Sequence, residues 1–122
     1  MQSAEQLEEF RQSWRPTAEK VDFAIRTAIE IAHPSRVYVF GSWARGETRP
    51  ESDLDLAILV PEQRRSEIPE LRRQIGRKLE TVRMSVDLVL VTEDYFSQFR
   101  SSINSLYYKI ANQGKLVYEQ RH

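Results

Sequence analysis

Asp53 and Asp55 stand one residue apart at the head of the apolar run Leu56-Ala57-Ile58-Leu59-Val60. In a strand, side chains alternate, so the two carboxylates share one face, while Leu54, Leu56 and Ile58 share the other. The segment 53–60 is therefore expected to be a strand with an apolar side toward a core and a side presenting two close negative charges. Like charges that close destabilise a fold unless they are protonated or met by a cation. Hard carboxylate oxygens suit Mg²⁺, which usually completes its shell with phosphate and water.

The residues before this pair sharpen the reading. The segment 36–40 (Arg36-Val37-Tyr38-Val39-Phe40) is a short β-branched and aromatic run, expected to be a buried strand. Gly41-Ser42 breaks it, a short helix is expected over 42–47, and 48–52, with Pro50, reads as a loop. A Gly-Ser turn between a strand and a helix can cradle phosphate, because Gly41 permits close backbone approach and Ser42 adds a hydroxyl donor. Arg45 can grip phosphate in fork geometry. A third carboxylate, Asp87, sits inside Val86-Asp87-Leu88-Val89-Leu90-Val91, where an unpaired charge is costly. If the strand 86–91 lies beside 53–60, Asp87 completes a three-carboxylate site able to bind a second metal or accept the proton of an attacking hydroxyl. Three carboxylates, one or two Mg²⁺ ions and a phosphate cradle describe metal-assisted phosphoryl or nucleotidyl transfer.

The rest of the chain supplies a scaffold. Val21, Ala24, Ile25, Ala28, Ile29 and Ala32 mark a helix over 17–32 that Pro34 ends. Ile68, Leu71, Ile75, Leu79 and Val82 mark a second, with Arg72, Arg73, Arg77 and Lys78 on its outward face. Thr92 reads as an N-cap opening a turn or short helix through Tyr95, Phe96 and Phe99. Ile103, Leu106, Tyr107, Ile110 and Ala111 mark a last helix with Gly114 as its terminator, and Leu116-Val117-Tyr118 an edge strand. Strands alternating with helices predict an α+β domain, α/β-like, with a small mixed sheet of three to four strands and helices packed against it. Residues 1–16 are read as a polar extension that could dock as a loose helix, and 17–122 as one domain.

Composition excludes several classes. The 18 basic and 18 acidic residues balance, which argues against nucleic-acid binding through bulk charge. Absence of cysteine excludes disulfides and thiolate metal sites and suits a cytoplasmic protein. No apolar run approaches membrane-spanning length. His33, before Pro34, and the terminal His122 are not credible ligands or bases.

At 41–58 the chain resembles the minimal nucleotidyltransferases of the DNA polymerase β superfamily, which pair with HEPN-domain toxins. Their pattern G-S-x-A-R-G, a short spacer, then S-D-[LI]-D-[LF]-x-[IV], is met by Gly41-Ser42-Trp43-Ala44-Arg45-Gly46 and Ser52-Asp53-Leu54-Asp55-Leu56-Ala57-Ile58. Asp87 matches the third family aspartate. Ile110, Gly114 and Tyr118 match the family's last helix and edge strand. The resemblance spans roughly 20–118 and implies the polymerase β-type nucleotidyltransferase fold, ATP as substrate and transfer of AMP to an acceptor hydroxyl. It implies nucleotide contacts at Gly41 and Ser42, with Arg45 as a further motif position. It implies metal ligation and catalysis at Asp53, Asp55 and Asp87.

The chain has no room for an acceptor-binding domain, so the acceptor is expected on a partner. The family implies a HEPN ribonuclease toxin modified on a tyrosine, in a hetero-oligomer, with the chain acting as antitoxin. Two alternatives stay open. One is an antitoxin that neutralises by binding alone, with Trp14, Trp43, Tyr107 and Tyr108 read either as its contacts or as partial core packing. The other is a homodimeric transferase for a small acceptor such as an aminoglycoside.

Overall fold

The computed structural model describes residues 3–46 and 53–121. The expected loop 48–52, Glu47 of the expected short helix, and Ser52 of the motif lie outside them. The element order is α1 (Ala4–Ser13), α2 (Ala18–Ala32), β1 (Arg36–Phe40), α3 (Gly41–Ala44), β2 (Leu54–Val60), a 3-10 segment (Glu62–Glu67), α4 (Ile68–Glu80), β3 (Val86–Thr92), α5 (Glu93–Phe99), α6 (Leu106–Gln113) and β4 (Lys115–Glu119).

The four strands form one mixed sheet in the order β3-β2-β1-β4. β1 runs antiparallel to β2 and β4, whereas β2 and β3 are parallel, joined through α4. A parallel pair needs such a crossover, because a tight turn can only reverse the chain. This is the mixed α+β sheet expected from the sequence, with four strands.

Both faces of the sheet are covered. Leu54, Leu56, Ile58 and Val60 of β2 join Val37 and Val39 of β1 in a core closed by Val21, Ala24, Ala28 and Ala32 of α2 and Leu71, Ile75 and Leu79 of α4. The opposite face carries a second core of Tyr38, Phe40, Ala57 and Leu59 beneath Phe96 of α5 and Ile110 of α6. The expectation that this face of β2 chiefly presents charge therefore holds only at its start. Ala57 and Leu59 are fully buried there, whereas Asp55 is half-buried. An apolar residue at every position from Leu56 to Val60 is the pattern of a strand buried on both sides.

Helix ends follow local chemistry. Thr17 caps α2 by accepting from the Lys20 amide at 3.2 Å. Thr92 caps α5 by accepting from the Tyr95 amide at 3.2 Å, and Ser105 caps α6 at 3.1 Å. His33 ends α2 in the left-handed conformation, its N–H donating to the Ile29 carbonyl, so the backbone rather than the imidazole makes this cap. Two expectations shift at the C-terminal helix. It begins at Leu106, and Ile103 stands 72% exposed before it. Gly114 is extended (φ −76°, ψ 164°) rather than left-handed. Its lack of a side chain serves a close approach instead, since a Cβ there would lie 2.5 Å from the Ile110 carbonyl oxygen.

Opposite the site end of the sheet, Arg36 of β1 binds both Glu93 oxygens, at 3.0 and 2.6 Å. Ser35 Oγ donates to the same carboxylate at 2.6 Å. The guanidinium also lies over the Tyr38 and Phe96 rings. These contacts hold the start of α5, and with it the second core, against β1. Among the described residues no helix is long and apolar enough to cross a membrane.

Candidate active site

The candidate residues gather where β1 ends and β2 and β3 begin. Phe40, the last residue of β1, is the Cα partner of Asp55. The chain then turns through Gly41 into the single helical turn α3, which packs on β2. Gly41 adopts φ +73°, a conformation that favours glycine. A Cβ on it would sit 2.0 Å from Asp55 Oδ2. The glycine is thus required twice, by its backbone angle and by the carboxylate pressed against its Cα.

Ser42 opens the same turn, half-buried, and Arg45 closes it, its amide donating to the Gly41 carbonyl at 3.3 Å. Four residues align too few peptide dipoles for a strong macrodipole. What this turn offers an anion is local: backbone N–H groups, a hydroxyl and a guanidinium. Trp43 and Tyr107, open to core packing or to partner contact, are both partly buried, Trp43 against the first core and Tyr107 against the second.

Asp53 stands exposed one residue before β2, Asp55 is half-buried as its second residue, and Asp87 is exposed as the second residue of β3. The parallel register makes Asp55 and Asp87 direct neighbours, on the same face. The Leu54 amide donates to the Ser85 carbonyl at 3.0 Å, fixing the start of β2 against the approach to β3. The register that the sequence left open thus brings together carboxylates 32 positions apart in the chain.

The electrostatics reflect that gathering. Burial pushes the Asp55 carboxyl up to about 6, from an ordinary 3.8; Asp87 and then Asp53 push the same way, and Arg45 partly offsets them. Carboxylate oxygens alone suit a hard divalent cation such as Mg²⁺. Among the described residues no three His, Cys, Asp or Glu side chains are gathered closely enough to cage an ion. Mg²⁺ commonly takes one or two protein carboxylates and fills its shell from phosphate and water, so the donor set fits an ion that arrives with a nucleotide. Asp53 also lines, with Glu80, Ser85 and Val86, a cleft of ≈ 320 Å³ between α4 and β3 that Asp55 and Asp87 do not line.

A strand-turn-helix edge with clustered carboxylates on a mixed sheet is the arrangement of a nucleotidyltransferase domain. The sequence matches the family described as Polymerase beta, Nucleotidyltransferase over residues 24–122, and the chain belongs to that family. Among solved structures it is similar to a chain of a toxin-antitoxin crystallised with AMP-PNP, at 24% identity and TM-score 0.50, covering 82% of this chain and 74% of the other. It also resembles a candidate nucleotidyltransferase from Sulfolobus solfataricus, at 19% identity and TM-score 0.48, covering 86% and 91%. Among curated proteins none matches significantly.

Proposed function

We propose that this chain is a Mg²⁺-dependent nucleotidyltransferase that moves AMP from ATP to a hydroxyl, a tyrosine's, on a cognate HEPN-domain toxin, and so acts as its antitoxin. The observation that carries the reading is the juxtaposition of Asp55 with Asp87 across β2 and β3, beneath the Gly41 turn. Family membership supports nucleotidyl transfer. Likeness to a chain from a toxin-antitoxin structure that holds an ATP analogue supports the partner class.

Gly41 and Ser42 would hold the triphosphate, and Arg45 would neutralise part of its charge. Asp53 and Asp55 would ligate Mg²⁺, and Asp87, beside Asp55 in the sheet, would be the third carboxylate of the site. Bound there, the ion would offset negative charge on the phosphates and align them. The acceptor oxygen bonds to the α-phosphorus as the α–β phosphoanhydride bond breaks and pyrophosphate leaves. Asp87, beside Asp55 on the neighbouring strand, would take the acceptor's proton. Positioning does most of the work in such a transfer.

The test is transfer of α-labelled ATP to protein in a lysate of the source cell, wild type beside Asp53→Asn/Asp55→Asn. One labelled band with wild type alone is expected, and its mass identifies the acceptor. Equal labelling by the double variant would remove the metal-site assignment. A binding-only antitoxin would instead let the double variant suppress a co-expressed toxin as well as wild type does.

A further inference from the structure

β3 lies at the edge of the sheet, with β2 on one side and, among the described residues, no strand on the other. The two edges are built differently. β4 is joined to β1 through an irregular register between Val37 and Tyr38, and it begins and ends on charged, exposed residues, Lys115 and Glu119. Bulges and edge charges discourage further pairing. β3 has neither device along most of its length. Its seven residues pair with β2 in unbroken register, and after Asp87 they read Leu88-Val89-Leu90-Val91-Thr92. An edge of that kind presents a row of backbone donors and acceptors to another chain.

A cleft of ≈ 460 Å³ opens along the same edge, lined among others by Leu90, Val91, Ile68, Tyr95 and Tyr107. Ile68 and Leu90 belong to the first core, Val91 and Tyr107 to the second. The cleft therefore reaches round the strand from one face of the sheet to the other. An added strand needs this shape, since its alternate side chains fall on opposite faces. Tyr95, 47% exposed, and Tyr107 form an edge-on ring pair at 5.3 Å on one wall.

Charge selects the occupant. Arg65 at the cleft is paired with Glu62 at 3.6 Å, which leaves the exposed Asp94 as the remaining charge among the residues that line it. We infer that the free edge of β3 takes an extended, basic segment of a partner polypeptide, alternating apolar and cationic side chains, as a fifth strand. That a hydroxyl on this segment would pass Asp87 rests on the transfer reading; the docking itself does not.

The probe is a synthetic seven-residue peptide of alternating valine and lysine with a central tyrosine, added to the full chain and followed by amide hydrogen exchange. Saturating peptide is expected to slow exchange across 87–92 at least tenfold. Methylating the peptide's amides along one edge should abolish that protection, and along the other edge leave it, because only one edge of a strand bonds to its neighbour. Asp94→Asn, an exposed change away from the candidate site, should weaken binding several-fold, as should glutamate for lysine in the peptide. Unchanged exchange at 87–92, or protection indifferent to N-methylation, would overturn the inference. So would β3 protection that rises with protein concentration alone, which would mean that a second copy occupies the edge. AMP transfer to a partner without β3 protection would sink the docking site and spare the transferase. Protection without any nucleotide transfer would do the reverse.

Discussion

Gly41 and Asp55 touch: the carboxylate of one occupies the space that any side chain on the other would need, 2.0 Å from a Cβ. Gly41→Ala therefore meets two obstacles, a φ of +73° and a collision with the proposed metal ligand. Adopting that backbone angle costs alanine about 1 kcal/mol. Displacement of Asp55 is expected to take nucleotide affinity down at least tenfold. Calorimetric titration with a non-hydrolysable ATP analogue and Mg²⁺, beside a melting curve, checks both. Wild-type affinity would mean that the turn does not hold phosphate.

Asp55→Asn separates stability from chemistry. The folded-state carboxyl titrates at about 6, above its ordinary 3.8. A raised carboxyl favours the folded state while protonated. That contribution is complete below about pH 4 and is lost as pH rises through about 6. The amide escapes the loss. Metal-free Asp55→Asn should exceed wild type at pH 8 by roughly 1 kcal/mol, after discounting for the carboxylate's contact with water, and should show no gain at pH 4. Thermal unfolding in chelator at the two pH values measures it.

Mg²⁺ must displace that same proton. Its affinity, read by stabilisation against heat with and without the ion, should hold steady above pH 7 and weaken about tenfold per unit below pH 6. A flat profile would place the ion elsewhere.

Glu93 has the opposite sign. Hydrogen bonds from Arg36 hold its carboxyl below the ordinary range, against the pull of burial, with Ser35 helping. Its stabilisation is present above the ordinary carboxylate range and lost as pH falls through the depressed folded value. Glu93→Gln should destabilise by about 1 kcal/mol at pH 7, with the difference from wild type shrinking in acid. Denaturant melts across pH test it.

Phe96→Ala and Ile110→Ala probe the second core. Both side chains are fully buried, beneath α5 and α6 respectively. Each truncation should cost about 2–5 kcal/mol, measured by urea unfolding. A cost near zero would mean that α5 and α6 are not integral to the fold.

Much of this architecture was legible. β1 over Arg36–Phe40 matches its sequence bounds, and β2 and β3 fall within a residue of theirs, because β-branched runs bounded by Gly, Pro and polar residues have few other solutions. Thr92 announced its cap. What stayed hidden depended on contacts between distant segments. Nothing in Val86-Asp87-Leu88 says whether its strand runs with or against β2, and only the parallel register sets Asp87 beside Asp55. The burial of Ala57 and Leu59 on the aspartates' face was not legible either, because its cover, Phe96 and Ile110, comes from α5 and α6, far along the chain. Ile103 fits a helical spacing with Leu106 and Tyr107, yet Ser105 caps α6 after it, and local capping outweighed the apolar pattern.

The pairing of β1 with β4 joins Arg36 to Glu119 and Val37 to Tyr118, some eighty positions apart. During synthesis β1 can find β2 early, but its other side waits until nearly the whole sequence here has left the ribosome. The nascent intermediate therefore exposes a Val-Tyr-Val-Phe edge for as long as translation of the intervening segment takes, several seconds at ordinary elongation rates. An edge left open for that long is a place where nascent chains can mispair, and early capture by a partner would close it.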